Sequence, residues 1–209
     1  MIPFLYPILS ADVFPGSLDD WARRLAESGV QLIQYRDKHS SSAHLLETAR
    51  RLVALSSSLQ FRVIINDRAD IAVLAAAAGV HVGQDDLPVE SARSICGPQA
   101  LVGVSTHNLG QFRAAIATSA DYLAIGPIFP TTTKQNPDPV VGLDFIRRAR
   151  QLTAKPLVAI GGITAERAAD VYAAGADSIA VAADLASAPD LSSRVASYLR
   201  AAESRRAPL

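Results

Sequence analysis

Side chains able to do chemistry are gathered in a few short segments, each directly after an apolar run. Arg36 and Lys38 follow residues 32–35; Asn66, Asp67 and Arg68 follow 63–65; Gln84, Asp85 and Asp86 follow 80–82; Ser105, Thr106 and His107 follow 101–104. The longest such segment is Gly126-Pro127-Ile128-Phe129-Pro130-Thr131-Thr132-Thr133-Lys134, and Gly161-Gly162 comes after 157–160. Charged residues make up only 19% of the chain, so this clustering is informative. Carboxylates that hold a hard cation, beside Arg and Lys that hold phosphate oxygens, are the usual means of binding a magnesium diphosphate. Arg36, Lys38 and Lys134 supply the cations, and neighbouring segments supply two or three carboxylates. Gly161-Gly162, with a helix expected from Thr164, suggests a second anion site. There is no spaced Cys/His set for zinc, no nucleophile elbow and no Gly-x-Gly-x-x-Gly after a first strand, so redox and acyl-transfer chemistry lose ground.

The elements that must position these groups are legible in the same runs. Eight stretches, at 5–9, 32–35, 63–65, 80–82, 101–104, 122–125, 157–160 and 178–181, are almost wholly apolar rather than alternating. Such runs suit strands buried on both faces of a parallel sheet. Between them the 3.6-residue period recurs: Leu18, Trp21, Ala22 and Leu25; Leu45, Ala49, Leu52 and Val53; Phe145, Ala149 and Leu152. Ser17 and Thr164 stand where N-caps belong, and Gly29, Gly79 and Gly175 where helices should stop. The spacing of the runs leaves room for one helix and two short loops each. Eight such units without a linker predict an α/β chain with a single (β/α)8 TIM barrel over residues 1–209, its tail frayed from about 201. A doubly wound open sheet remains the alternative, because spacing does not report closure.

Composition narrows the partners. The 209 residues carry 20 Lys and Arg against 20 Asp and Glu, so no long-range field gathers nucleic acid or an anionic membrane, and small-molecule substrates are expected. The longest uncharged apolar run, 71–80, is far short of the roughly 20 residues a membrane span needs. Cys96 is the one cysteine, and no basic, apolar leader is evident, which predicts a reduced, cytoplasmic setting. Assembly into a homo-oligomer stays open.

Six segments in order, Gln34-Tyr35-Arg36-Asp37-Lys38, Ile65-Asn66-Asp67-Arg68, Val80-His81-Val82-Gly83-Gln84-Asp85-Asp86-Leu87-Pro88, Ser105-Thr106-His107, residues 126–134 and Ile160-Gly161-Gly162-Ile163, closely resemble the thiamine phosphate synthase family. The resemblance implies a barrel enzyme that joins 4-amino-2-methyl-5-(diphosphooxymethyl)pyrimidine to 4-methyl-5-(2-phosphooxyethyl)thiazole, giving thiamine phosphate and diphosphate. It implies Mg2+ as cofactor, with Asp67 and Asp86 as its ligands. It further implies that Arg36, Lys38, Asn66, Ser105 and Lys134 contact the pyrimidine diphosphate, with Gln34 in the same segment. Lys134, Arg36, Lys38 and Ser105 then act on the leaving group. Thr131, Thr132, Thr133, Gly161, Gly162, Ala182 and Ala183 fall where the thiazole phosphate is held.

The chain departs from the family pattern at Asp37, where Glu is usual, at Tyr35 for Leu, and at Ala183, where a Ser commonly stands. Loss of that hydroxyl predicts a weakened thiazole phosphate site. Two other readings stay open: a thiazole tautomerase, which would use His107 and need no metal, and a silent thiazole phosphate or thiamine phosphate binding protein. Plainer readings accompany the individual residues. Asp67 beside Arg68 suits a rim ion pair, Asp86 or Asp85 a cap for the fourth helix near Pro88, and Gly161-Gly162 a tight turn. His81, inside an apolar run, reads as a packing histidine.

Overall fold

Along each strand, alternate side chains point to opposite faces, and both faces here are apolar. The reason is closure. In the computed structural model, which describes residues 2–131 and 138–203, eight parallel strands pair in sequence order and β8 returns to β1. The order is β1 (Leu5–Ser10), α1 (Leu18–Glu27), β2 (Leu32–Arg36), α2 (Ser42–Leu59), β3 (Arg62–Asn66), α3 (Ala69–Leu74), β4 (Gly79–Val82), α4 (Val89–Cys96), β5 (Leu101–Thr106), α5 (Leu109–Ile116), β6 (Tyr122–Ile125), α6 (Gly142–Leu152), β7 (Leu157–Ile160), α7 (Ala168–Ala173), β8 (Ser178–Val181), α8 (Ala183–Ala186) and α9 (Leu191–Glu203). Tyr6, Ile8, Leu32, Ile64, Tyr122, Ala124, Val158 and Ala180 form an inner core, while Leu5, Leu9, Ile33, Ile65, Val80, Leu123 and Ile179 pack outward against the helices. A strand between two dry layers shows no polar alternation, which is why the runs read as continuous. The chain therefore forms a (β/α)8 barrel, and the open-sheet alternative is set aside by the β1–β8 pairing.

Local signals explain the helix ends. The Ser17 hydroxyl accepts from the Asp20 N–H at 3.2 Å, with Asp19 and Asp20 in the first turn of α1. Such a cap contributes about 1 kcal/mol. Gly29 follows at φ +95°, a backbone conformation that glycine adopts without strain. Gly79 behaves differently from the expectation that it ends a helix. It opens β4, and a Cβ there would stand 1.9 Å from the Leu101 carbonyl oxygen, so its glycine serves the approach of β5. Thr164 makes no side-chain cap; a short 3-10 turn, Ala165–Arg167, leads into α7. Residues 201–203, expected to belong to a frayed tail, are instead the last turn of α9, with Ala202 buried; 204–209 lie outside the described residues.

The barrel floor carries a repeated clamp that composition did not disclose. Asp121, just ahead of β6, accepts from Val102 N–H at 2.7 Å and Arg93 Nη2 at 2.5 Å. Asp177, just ahead of β8, accepts from Leu157 N–H at 2.9 Å and Arg150 Nη1 at 2.7 Å. Each carboxylate joins a strand start to a helix arginine, fixing the end opposite the mouth. Among the described residues, no helix is long and apolar enough to cross a membrane.

Candidate active site

The C-terminal ends of the strands surround a cavity of about 930 Å³. Its size suits a pair of small phosphorylated molecules. From β2 come Gln34, Arg36 and Lys38; from β3, Asn66 and Asp67; after β4, Gln84, Asp85 and Asp86; from β5, Ser105 and His107; after β6, Thr131; after β7, Gly161 and Gly162; after β8, Ala182 and Ala183. The structure thus brings the described candidates to one cavity. Thr132, Thr133 and Lys134 lie outside the described residues.

The carboxylates dominate the electrostatics. Asp67 occupies a left-handed backbone position, φ +63°, where its N–H donates to the His81 carbonyl at 2.7 Å. Its side chain is ion-paired with Lys38 and accepts from Asn66 Nδ2 at 2.5 Å. Burial and the neighbouring Asp86 carboxylate nevertheless raise its pKa to about 6, against the lowering effect of Lys38. Asp86 accepts from the Gly83 N–H at 2.8 Å. It does not cap α4, whose N-cap is Pro88 with no side-chain bond. Nor does Asp67 pair with Arg68, which turns away to Asp70 at 2.5 Å. Both plainer readings of these carboxylates therefore fail, and two acidic groups are left sharing one partly buried corner.

Such a corner fits a hard divalent cation. Among the described residues, no third His, Cys, Asp or Glu joins the pair to complete a protein-only cage. Magnesium commonly takes one or two carboxylates and completes its shell with water and substrate phosphate. Among the described residues, the cavity's β2 cations are already partnered: Arg36 Nη1 donates to Ser10 Oγ at 3.1 Å and Asp12 Oδ2 at 3.2 Å. Lys38 holds Asp67.

At the opposite wall, Gly161 and Gly162 have φ of +98° and +62°. A Cβ on Gly162 would stand 2.3 Å from the Pro130 carbonyl oxygen, and one on Gly161 2.6 Å from Pro127 Cα. The segment after β6 continues onto β7 through Ile128 N–H to Ile160 O at 2.9 Å and Phe129 N–H to Gly161 O at 3.0 Å. The tight-turn reading is correct here, and it is what brings the β6 and β7 loops together at the rim. Ala183 opens α8 and is exposed; Ala182, its N-cap, is half-buried with no side-chain cap. His107 Nδ1 lies 2.7 Å from the Gly126 carbonyl and 3.5 Å from Asp138 Oδ2, tying the β5 loop to the start of the β6 loop.

Some lining groups escaped the sequence reading. His81 is buried and fully partnered, as a packing histidine should be, yet it borders the cavity. Its Nε2 lies 2.8 Å from Ser105 Oγ and its Nδ1 3.0 Å from Tyr122 Oη. Burial lowers its pKa to about 4. Tyr6 also lines the wall. Arg167, stacked 4.6 Å over the Phe129 ring and donating to Gly162 O at 3.1 Å, adds a cation at the β7 wall. Its one signal was proximity to the glycine pair.

A parallel barrel whose mouth collects arginine, lysine, a carboxylate pair and hydroxyl donors over one cavity belongs to the phosphate-handling (β/α)8 enzymes. The comparisons are narrower. The family model for thiamine monophosphate synthase matches residues 5–185. The thiamine-phosphate synthase of Koribacter versatilis is 51% identical across 88% of this chain and 89% of its own length, and that of Shouchella clausii 40% identical across 97% and 98%. The thiamine phosphate pyrophosphorylase of Pyrococcus furiosus superposes with a TM-score of 0.87 at 29% identity, over 98% of this chain and 97% of its own. This chain belongs to the thiamine monophosphate synthase family.

Proposed function

We propose that this cavity is where the chain carries out the family's reaction, transfer of a pyrimidinylmethyl group to a thiazole phosphate with release of diphosphate. The observation that carries the reading is the crowded pair Asp67 and Asp86, set beside Lys38 and Arg36 at the mouth of one large cavity. Asp67 and Asp86 would hold Mg2+. When bound, that ion neutralises charge on the diphosphate and so favours its departure.

The chain's own groups do the rest. The bond from the pyrimidine methylene to the diphosphate oxygen breaks, its electron pair leaving with diphosphate; the thiazole nitrogen then donates its lone pair to the methylene carbon. This route needs anion stabilisation more than a general base. Arg36, Lys38 and Lys134 serve it, with Asn66 and Ser105 as neutral donors and Gln34 behind them. Lys38 is paired with Asp67 in the free chain; were Asp67 to hold the cation, the Lys38 ammonium would be free for a phosphate oxygen, and cation and diphosphate would then assist each other's binding. Thr131, Gly161, Gly162, Ala182 and Ala183, on the opposite wall where Arg167 adds charge, hold the thiazole phosphate, and the family resemblance assigns Thr132 and Thr133 to the same task.

The tautomerase reading is not favoured, because it gives the carboxylate pair and the diphosphate-facing cations no task. His107, engaged through Nδ1 with Gly126, suits loop orientation. Incubation with both substrates and Mg2+, followed by oxidation of the product to a fluorescent thiamine derivative, tests the proposal. Fluorescence dependent on both substrates is expected; its absence at saturation, with thiazole phosphate still bound, would leave the silent binding protein.

A further inference from the structure

A line of polar groups crosses the otherwise apolar barrel interior and ends at Ser105. Gln34 Nε2 donates to Tyr6 Oη at 3.0 Å. Tyr6 Oη lies 3.0 Å from Tyr122 Oη, which lies 3.0 Å from His81 Nδ1, and His81 Nε2 lies 2.8 Å from Ser105 Oγ. Four of the five residues are buried, and Ser105 is the one that is partly exposed. The rings are packed tightly: His81 and Tyr122 stack at 5.5 Å, and Tyr6 meets Tyr122 edge-on at 5.9 Å. Gly103 makes room for them, since a Cβ there would fall 2.0 Å from Tyr122 Cζ.

Each phenol and the neutral imidazole owns one hydrogen for two neighbours, so the direction of the first bond fixes all the others. Tyr6 accepts from Gln34 and therefore donates to Tyr122. Tyr122, having accepted, donates to His81 Nδ1. The imidazole hydrogen then resides on Nε2 and is given to Ser105 Oγ, whose own hydrogen is left for the cavity. Any reversal midway would strand two lone pairs or two hydrogens against each other among buried groups, leaving polar atoms unmet. We infer that Gln34, Tyr6, Tyr122 and His81 form a one-way hydrogen-bond chain that holds His81 as its Nε2–H tautomer and turns the Ser105 hydroxyl outward as a donor. Turning the Gln34 amide over would reverse every link and leave Ser105 presenting lone pairs, the wrong polarity for an anion. The chain's purpose rests on the diphosphate reading of the cavity; its direction does not. His81, Tyr122 and Tyr6 are positioning residues, and Ser105 is the group that would touch substrate.

Long-range proton–nitrogen NMR correlations of the ligand-free full chain read the tautomer without reference to activity. A protonated Nε2 and a bare Nδ1 at His81 are expected; a protonated Nδ1, or an imidazolium, at neutral pH would overturn the chain. Kinetics test its purpose. Ser105→Ala and Tyr122→Phe should each lower kcat/KM for the pyrimidine diphosphate about tenfold. In a Ser105→Ala background, Tyr122→Phe should cost less than about twofold more, because both remove the same donor. Full additivity would overturn the positioning role. Tyr6→Phe breaks the same chain one link earlier and serves if Tyr122→Phe does not fold. An Nε2–H tautomer with unaltered kcat/KM in Ser105→Ala would overturn the diphosphate reading while leaving the direction of the chain intact.

Discussion

Asp67 and Asp86 are held together in a partly buried corner although their charges oppose, and that conflict has measurable consequences. Asp67 titrates near 6 rather than 3.8, so between those values the folded chain holds more protons than the unfolded one and stability falls as pH rises. His81 titrates near 4 rather than 6.5, so in its window the folded chain holds fewer protons and stability rises with pH. In metal-free protein the two slopes oppose each other between about pH 4 and 6. Burial is the larger cause of the raised Asp67 value and survives Asp86→Asn, but the substitution removes the neighbouring carboxylate that adds to it, so the variant's Tm should climb with pH more steeply than the parent's. Parallel melting profiles in chelator would contradict this. The same substitution, and separately Lys134→Ala, should lower turnover at least about a hundredfold. At Ala183, restoring the family's hydroxyl through Ala183→Ser should lower the KM for thiazole phosphate; an unchanged or higher KM would remove the assigned weakness of that site.

Among the elements, most boundaries were legible because each strand is dry on both faces, and the polar residues that end the runs mark the mouth. What stayed hidden depended on contacts between distant units. Gly79 looked like a helix terminator, but its lack of a Cβ answers to Leu101 on the next strand. Tyr6, His81 and Tyr122 sit within apolar runs, so nothing local marked them as one hydrogen-bonded line. Nothing in the sequence singled out Asp121 and Asp177, because their arginine partners come from separate helices. The carboxylates at 67 and 86 were legible as candidates from residue type and order, but the crowding that suits them to a cation arises only when β3 and β4 lie side by side. Gly161-Gly162 was legible as a turn, and its energetic meaning lies in the β6 loop packed on it. Gly162→Ala places a methyl against the Pro130 carbonyl at a positive φ, and should destabilise by about 1–3 kcal/mol while raising the KM for thiazole phosphate. A fall in Tm with unchanged KM would confine that glycine to folding.

At the scale of the whole molecule, equal numbers of acidic and basic residues conceal a polarised distribution. The floor uses Arg93 with Asp121 and Arg150 with Asp177 as clamps, whereas the mouth sets Arg36 and Lys38 around Asp67 and Asp86. A protein so arranged would suit a small polyphosphate with its counter-cation and offers larger anions no extended field. The central claim is that one barrel-mouth cavity couples diphosphate departure to capture by the thiazole, with the carboxylate pair holding the required cation. It is tested most directly by measuring diphosphate and thiamine phosphate together while Mg2+ is titrated into chelator-treated enzyme supplied with both substrates. The predicted result is equimolar appearance of the two products, rising with Mg2+ in the parent protein and nearly abolished in Asp86→Asn. Equal turnover with and without Mg2+, or a parent-like Mg2+ response in Asp86→Asn, would contradict it.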